Sequence, residues 1–593
     1  MCSHPSPIDI EAVLAAIERM RQPADSKNDE EQIIRNGPEA AGLPSYLASI
    51  KRITKSLADM QASNMRANQQ AIVDLGRLIQ SGNSQLESLY ERLLRAETPA
   101  SVEPLHYITK DKPFPVLASE TSTRLGMVAA HMTALQQRPQ LEGSSDSQGT
   151  TVMRLGRLYS DIRGPYLSST LANLAAASVN TAKKKNPDAI YRTGTNGIGI
   201  YVKATEGLFV AEWDNICSVF TRQDSAALFQ LTCQTSLAEL ARTLRELNGH
   251  IRSNLSTDCC LAYEIIDMVS TLSFNLDART GELKSSFTAA LRPVRETAKT
   301  SLSEVYDEVR RKVGNIQTIP SDGGAVPIVA ETVQRLQVMA EFLRPISSIM
   351  VSLGDGGWKT ASAAASSTNT SDNAPSLAGF DVGADGTEIF AHYCTDTLDT
   401  LLSSLDQKSR VLLKGKSSQG VLLANCVSII ERGIAQSVGS SSSNSPSGLG
   451  TLLQGRLTLL DQYRKRAVTL YNDMCRDVSS HLLDTIHTNR AARPSSSGPT
   501  DSASVLKGLG SKDRENIKAK FTAFNASFDE LVTKHKAFTM EKDVRQMFAR
   551  DMQQFLEPLY NRFWDRYHEI DKGKGKYVKY DKAAVGTIFA SMY

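Results

Sequence analysis

The sequence predicts an all-α protein, an elongated rod of consecutive helical bundles. Three observations carry that expectation. Apolar residues recur every three or four positions along most of the chain, the spacing of one helix face. Strand signals are scarce: Ile198–Val202 is the one alternating run of note, and glycines flank it. Aromatic residues make up only 6% of the chain, and 593 residues far exceed what one compact core organises.

Taken in order, Tyr46, Ile50, Ile53, Leu57 and Met60 follow a 4-3-4 rhythm that Leu75 and Leu78 take up again. Gly82 is expected to stop that helix, with Leu86, Leu89, Leu93 and Leu94 starting another. Two heptads fit a coiled coil, and a bundle helix explains them equally well. Further on, Val333, Leu336, Met339, Leu343, Ile346, Ile349 and Leu353 form a stripe after Pro327, with a kink expected at Pro345. Near the end, Ile517, Phe521, Phe524, Phe528, Leu531, His535 and Phe538 make another buried stripe, leaving Lys518, Lys520, Lys534 and Lys536 towards solvent.

Loops are expected at 143–150, 183–199, 321–327, 354–386, 436–450 and 493–510, from their Gly, Ser and Pro content. Ser362–Ser376 and Ser437–Gly450 carry too few large apolar residues to pack and are expected to be disordered. The boundaries divide the chain into 1–150, 151–320, 321–500 and 501–593.

The bulk numbers exclude several classes. A formal charge of +3 is near neutral for this length, so the whole chain is no polycation. With no recognisable nucleic-acid motif, nucleic-acid binding is not expected. Eight cysteines show no C-x-x-C spacing, so free thiols in a reduced cytosolic compartment are expected. No signal peptide or membrane-spanning run of roughly eighteen apolar residues is read, so membrane association would be peripheral. Nine histidines, His481 and His487 among the closer pairs, carry no metal-ligand spacing, and no metal or cofactor is expected. Gly194–Gly199 resembles a glycine-rich phosphate loop, but no Gly-Lys-Ser/Thr follows it. With no nucleophile elbow either, no active site and no small-molecule substrate are expected.

Local charge is different. From Lys512 to Lys582 the chain carries sixteen Lys/Arg against twelve Asp/Glu, and it contains the tail Asp571-Lys-Gly-Lys-Gly-Lys-Tyr-Val-Lys-Tyr580. A lysine run is usually a solvated face. Here the lysines alternate with Gly573 and Gly575, which suits adaptation to a surface. Tyr577 and Tyr580 lie beside them, placed either for a headgroup boundary or to pack back on the bundle. Each lysine near an anionic leaflet contributes about 1 kcal/mol, so several acting together attract reversibly.

Several segments together resemble the seventy-kilodalton subunit of the exocyst, in its fungal form, over nearly the whole chain. They are Val102–Ile108, Tyr159–Leu167, Arg192–Gly199, Glu206–Glu212, Phe524–Glu530, Glu557–Tyr560, Arg566-Tyr567 and Lys576–Tyr580. The resemblance implies a rod in four consecutive parts and a non-catalytic role in a tether of eight subunits that holds secretory vesicles at the plasma membrane. It implies recruitment by phosphatidylinositol 4,5-bisphosphate and by Rho-family GTPases, with other exocyst subunits as partners. The expected location is cytoplasmic, peripheral at the inner face of the plasma membrane where growth is polarised (bud, bud neck or hyphal tip). Carried over by motif, Lys576 and Lys579 are the leading lipid contacts. Lys572 and Lys574 follow by charge and position, and Lys512, Arg514, Lys518 and Lys520 come after as weaker candidates on helix surface. Family members usually begin with a longer amphipathic helix, whereas here the match starts near Ile8–Ile17. The alternative reading is a cytosolic helical scaffold that binds proteins only.

Overall fold

The computed structural model describes residues 11, 29–62, 69–136, 150–183, 190–359, 385–439, 448–483 and 509–593. The stretch Ser362–Ser376, residues 440–447 of the Ser/Gly-rich run, His487 and most of Ile8–Ile17 lie outside them. Among the described residues every regular element is helical, as the sequence predicts. The chain forms two compact units: residues 1–254 with 264–295, and residues 255–263 with 296–593.

In the first unit, the expected break at Gly82 does not occur. One helix runs unbroken over Gln69–Glu97 and crosses the helix Leu43–Ala62 at this glycine. A Cβ there would lie 3.1 Å from Ile50 Cδ1, and the Tyr46 hydroxyl donates to the Gly82 carbonyl at 3.3 Å. The glycine is a contact point between helices; its helix-breaking tendency, about 1 kcal/mol relative to Ala, is overridden by packing. Ile198–Val202, the weak strand candidate, opens the helix Ile198–Val219.

That helix carries Glu212, which forms a buried ion pair with Arg163 of the helix Thr150–Ala182. Arg163 Nη2 lies 2.5 Å from Glu212 Oε2, and its Nε reaches both carboxylate oxygens at 3.1 Å. The Tyr159 hydroxyl donates to Glu212 Oε1 at 2.7 Å, and Asn215 Nδ2 donates to Oε2 at 3.2 Å. Burial opposes the arginine's charge, but the carboxylate outweighs it and holds the Arg163 pKa above its ordinary value. Two of the segments that carry the family resemblance therefore meet in one charged core network.

The glycine loop is structural too. Gly194 takes φ +76° and donates its amide to Glu264 Oε1 at 3.0 Å, while the Tyr191 hydroxyl binds the other oxygen. Gly197 presses on the Ser178 backbone and donates to Thr181 Oγ1. These donors are occupied by protein acceptors, so the loop is no phosphate cradle.

In the second unit, the apolar stripe after Pro327 is two helices, Pro327–Glu341 and Leu343–Leu353, bent by 96° at Phe342. Pro345 sits in the first turn of the second helix, where its missing N–H costs no intrahelical bond. The expected kink is thus a full break three residues earlier. The helix Leu255–Thr280, passed over in the sequence, gives residues 255–263 to this unit and 264–280 to the first; it is long and apolar enough to cross a membrane, and 61% of its most apolar window is buried within the protein.

Two close approaches organise the rest of this unit. Gly420, on the helix Lys416–Gly439, lets the backbone of the helix Thr458–Tyr471 come so near that a Cβ would lie 2.7 Å from the Ala467 carbonyl oxygen. One turn on, Asn425 Nδ2 donates to the carbonyls of Gly323 (2.9 Å) and Thr539 (2.8 Å). Its Oδ1 accepts from the Glu541 amide at 3.0 Å. Thr539 also donates its amide to the Asp322 carbonyl at 3.1 Å. One side chain thereby joins three segments: the loop before Pro327, its own helix, and the turn between the last two long helices.

Candidate anion-binding surface

The C-terminal stripe folds as its spacing predicts. Along Ser511–Ala537, Ile517, Phe521, Phe524, Phe528, Leu531 and His535 are buried, and Phe521 packs on Phe563 of the helix Lys542–Tyr567, which itself buries Phe548, Met552, Leu556 and Tyr560. Phe538, just past the helix end, is half-buried. Phe524 stacks on Tyr560, and Phe528 meets Phe589 of the short helix Lys582–Ala590 edge-on. His535 is a core histidine: its Nε2–H donates to the Met592 carbonyl at 3.1 Å and its Nδ1 accepts from Tyr471 at 2.6 Å.

Burial, opposed by the hydrogen bond to Met592 and helped by the charges of Arg545 and Lys536, pushes the His535 pKa from 6.5 down to about 4. The unfolded chain takes up that proton near pH 6.5 and the folded chain does not. Stability is therefore complete above pH 6.5 and falls as the pH drops towards 4, by up to about 3 kcal/mol from this group. Melting curves of the full chain across this range check the slope, and His535→Gln should flatten it.

The basic tail is a pinned loop, and it does not trail freely. Asp571 is buried and its carboxylate accepts from the amides of Tyr577 (3.0 Å) and Val578 (3.4 Å), while its carbonyl accepts from the Lys574 amide. Lys572, Gly573 and Gly575 all take positive φ, so the glycines serve a fixed turn. Both tyrosines pack back. Asn525 Nδ2 donates to the Tyr577 carbonyl at 2.8 Å, and Tyr560 donates to the Tyr580 carbonyl at 2.6 Å.

This arrangement divides the candidate lysines. Lys572, Lys574 and Lys576 are exposed along the loop, and none forms an ion pair among the described residues. Lys579 bonds Asp529 at 2.6 Å, in a pair about half exposed. Partial burial raises the Asp529 pKa, but hydrogen bonds from Lys579 and Tyr580 bring it below its usual value. A pair this exposed is screened and exchanges partners readily. Lys518 reaches from the helix to Tyr577, placing Nζ 5.3 Å from the ring centroid, and Lys576 approaches the same ring at 5.4 Å. Lys520 is turned away, donating to the Leu483 carbonyl at 2.5 Å. Lys512 and Arg514 are exposed in the first turn of their helix. The structure thus brings Lys518 to the loop and leaves Lys512, Arg514 and Lys520 outside the cluster.

Sequence reading missed Asp571, Asn525 and Lys582. Lys582 pairs with Asp565 and lies 5.3 Å from the Trp564 ring. Asp571-Lys-Gly573 was a usable signal, since Asp followed closely by Gly marks a turn. Nothing local flagged Asn525, whose partner lies fifty-two residues away.

Comparisons with known proteins agree with the fold and with the family resemblance. The family model for the C-terminal part of the Exo70 exocyst complex subunit matches residues 195–591, and that for the N-terminal part of exocyst complex component Exo70 matches 13–96. The chain is 60% identical over 587 residues to the exocyst complex protein exo70 of Neurospora crassa, covering 99% of this chain and 89% of that protein. It is 59% identical over 584 residues to the exocyst complex protein EXO70 of Gibberella zeae, covering 98% and 88%. A solved structure of Saccharomyces cerevisiae Exo70 superposes with a TM-score of 0.72 at 18% identity, covering 96% of this chain and 98% of that one. Neither family model describes an enzyme, and the chain belongs to the Exo70 family of exocyst subunits.

Proposed function

We propose that this chain is a peripheral-membrane tethering subunit, built in four consecutive parts, that holds secretory vesicles at the plasma membrane before fusion. Its C-terminal lysines bind phosphatidylinositol 4,5-bisphosphate at the inner leaflet, at sites of polarised growth. Other exocyst subunits and Rho-family GTPases are its protein partners, an assignment that rests on family likeness alone. The observation that supports lipid binding is the pinned loop with Lys572, Lys574 and Lys576 exposed and unpaired on one turn. Weak lipid contacts at this loop and protein contacts elsewhere add through effective concentration.

A protein-only scaffold is the competing reading, and the engagement of Lys579, Lys582 and Lys520 by groups of the protein itself favours it. Co-sedimentation with liposomes, with and without a small fraction of phosphatidylinositol 4,5-bisphosphate at near-physiological salt, separates the two. The triple change Lys572→Ala, Lys574→Ala, Lys576→Ala should weaken lipid-dependent binding about a hundredfold, at about 1 kcal/mol per lysine. Lys579→Ala alone should have a smaller effect. Wild-type sedimentation that ignores the phosphoinositide would leave the scaffold reading.

A further inference from the structure

Tyr577 holds two ammonium groups against one ring. Lys518 arrives from the helix Ser511–Ala537 and Lys576 from the adjacent loop position, with Nζ 5.3 Å and 5.4 Å from the ring centroid. Each ammonium lies within cation–π reach of the same ring, whose electron-rich π system attracts both. The ring has little freedom to drift, because its residue is tied at both ends. The Tyr577 amide donates to Asp571 Oδ2, and its carbonyl accepts from Asn525 Nδ2. The buried Asp571 carboxylate is directed at backbone amides and neutralises neither lysine. Glu515, one turn before Lys518, is exposed and forms no ion pair among the described residues.

We propose, resting on the phosphoinositide reading above, that Tyr577 is a positioning residue. It sets Lys518 and Lys576 as a two-ammonium clamp for a phosphomonoester, and this clamp separates a phosphoinositide from a phosphodiester lipid. A phosphomonoester carries roughly −1.5 to −2 charge near pH 7 and presents three acceptor oxygens, which two fixed ammoniums match. A phosphodiester headgroup such as phosphatidylserine is drawn by the diffuse attraction of the whole lysine cluster, which counts charges without regard to their spacing. Loss of the ring should therefore fall on the monoester alone.

The test uses the full chain and two vesicle types of matched charge, phosphatidylcholine with phosphatidylinositol 4,5-bisphosphate or with phosphatidylserine. Tyr577→Leu should weaken binding to the phosphoinositide vesicles about five- to thirtyfold, the loss of two surface cation–π contacts, and leave phosphatidylserine binding unchanged. Tyr577→Phe keeps the ring face and should behave as wild type. Lys518→Ala should weaken phosphoinositide binding in the wild type and have little further effect beside Tyr577→Leu. Soluble inositol 1,4,5-trisphosphate should compete with the wild type, because the clamp reads the headgroup and needs no bilayer.

Equal losses on both vesicle types, no loss with Tyr577→Leu, or failure of the soluble headgroup to compete would each overturn the clamp while lipid binding stands. Should Tyr577→Leu fail to fold, additive losses from Lys518→Ala and Lys576→Ala would overturn it instead. A wild-type chain indifferent to the phosphoinositide would sink the lipid reading and the clamp together.

Discussion

Glu212→Ala is expected to destabilise the first unit by about 3–5 kcal/mol, the usual result of leaving a buried charge without its partner. Arg163 and Glu212 are only 4% and 1% exposed, so water cannot replace the lost carboxylate. The Tyr159 hydroxyl and Asn215 amide lose their acceptor in the same step. Glu212→Gln keeps oxygen and shape and should cost less. Since a chain of two units does not unfold as one two-state transition, hydrogen exchange is the suitable readout. Protection should collapse along Thr150–Ala182 and Ile198–Val219 and persist in the second unit. A loss below about 1 kcal/mol would mean the pair is dispensable to the core.

Gly420→Val should cost about 3 kcal/mol or more, at the severe end of overpacking. The atoms a Cβ would meet are main chain, the Ala467 carbonyl oxygen at 2.7 Å and the Tyr471 amide nitrogen at 2.9 Å, so no side chain can swing aside. Tyr471 also stacks on Phe548 and bonds His535, so a shift of its helix carries into the C-terminal core. A lowered melting temperature together with weaker phosphoinositide binding is the expected pair of results. Gly249→Ala is the control: a Cβ there meets nothing within 4 Å, and the change should gain about 0.5–1 kcal/mol. Equal melting of both variants would show that the close approach at Gly420 carries no weight.

How far the sequence disclosed this protein depends on whether a feature is periodic or pairwise. The stripe from Ile517 to His535 was legible because burial of one helix face imposes a 3.6-residue period that any correct fold repeats. Glycine was misread at Gly82, where the same residue type serves a crossing and leaves the helix intact. The break at Phe342 was anticipated in kind and displaced in position, because Pro345 is best accommodated inside the first turn of a new helix. Among the lysines, charge and position pointed to the C-terminal cluster. Which of them stay unpaired was decided by Asp529 and Leu483, partners about fifty and thirty-seven residues away. Such pairings leave no local trace in composition.

Asn425 has a consequence of a different kind. Apolar packing sets how near two helices lie but is tolerant of rotation, whereas hydrogen bonds prefer near-linear geometry. With three backbone segments gauged by one amide, the spacing of residues in the loop before Pro327 and in the turn at Thr539 is mutually locked. Adding a residue to either would put the other out of register. Length changes in those two places should therefore be tolerated only in concert.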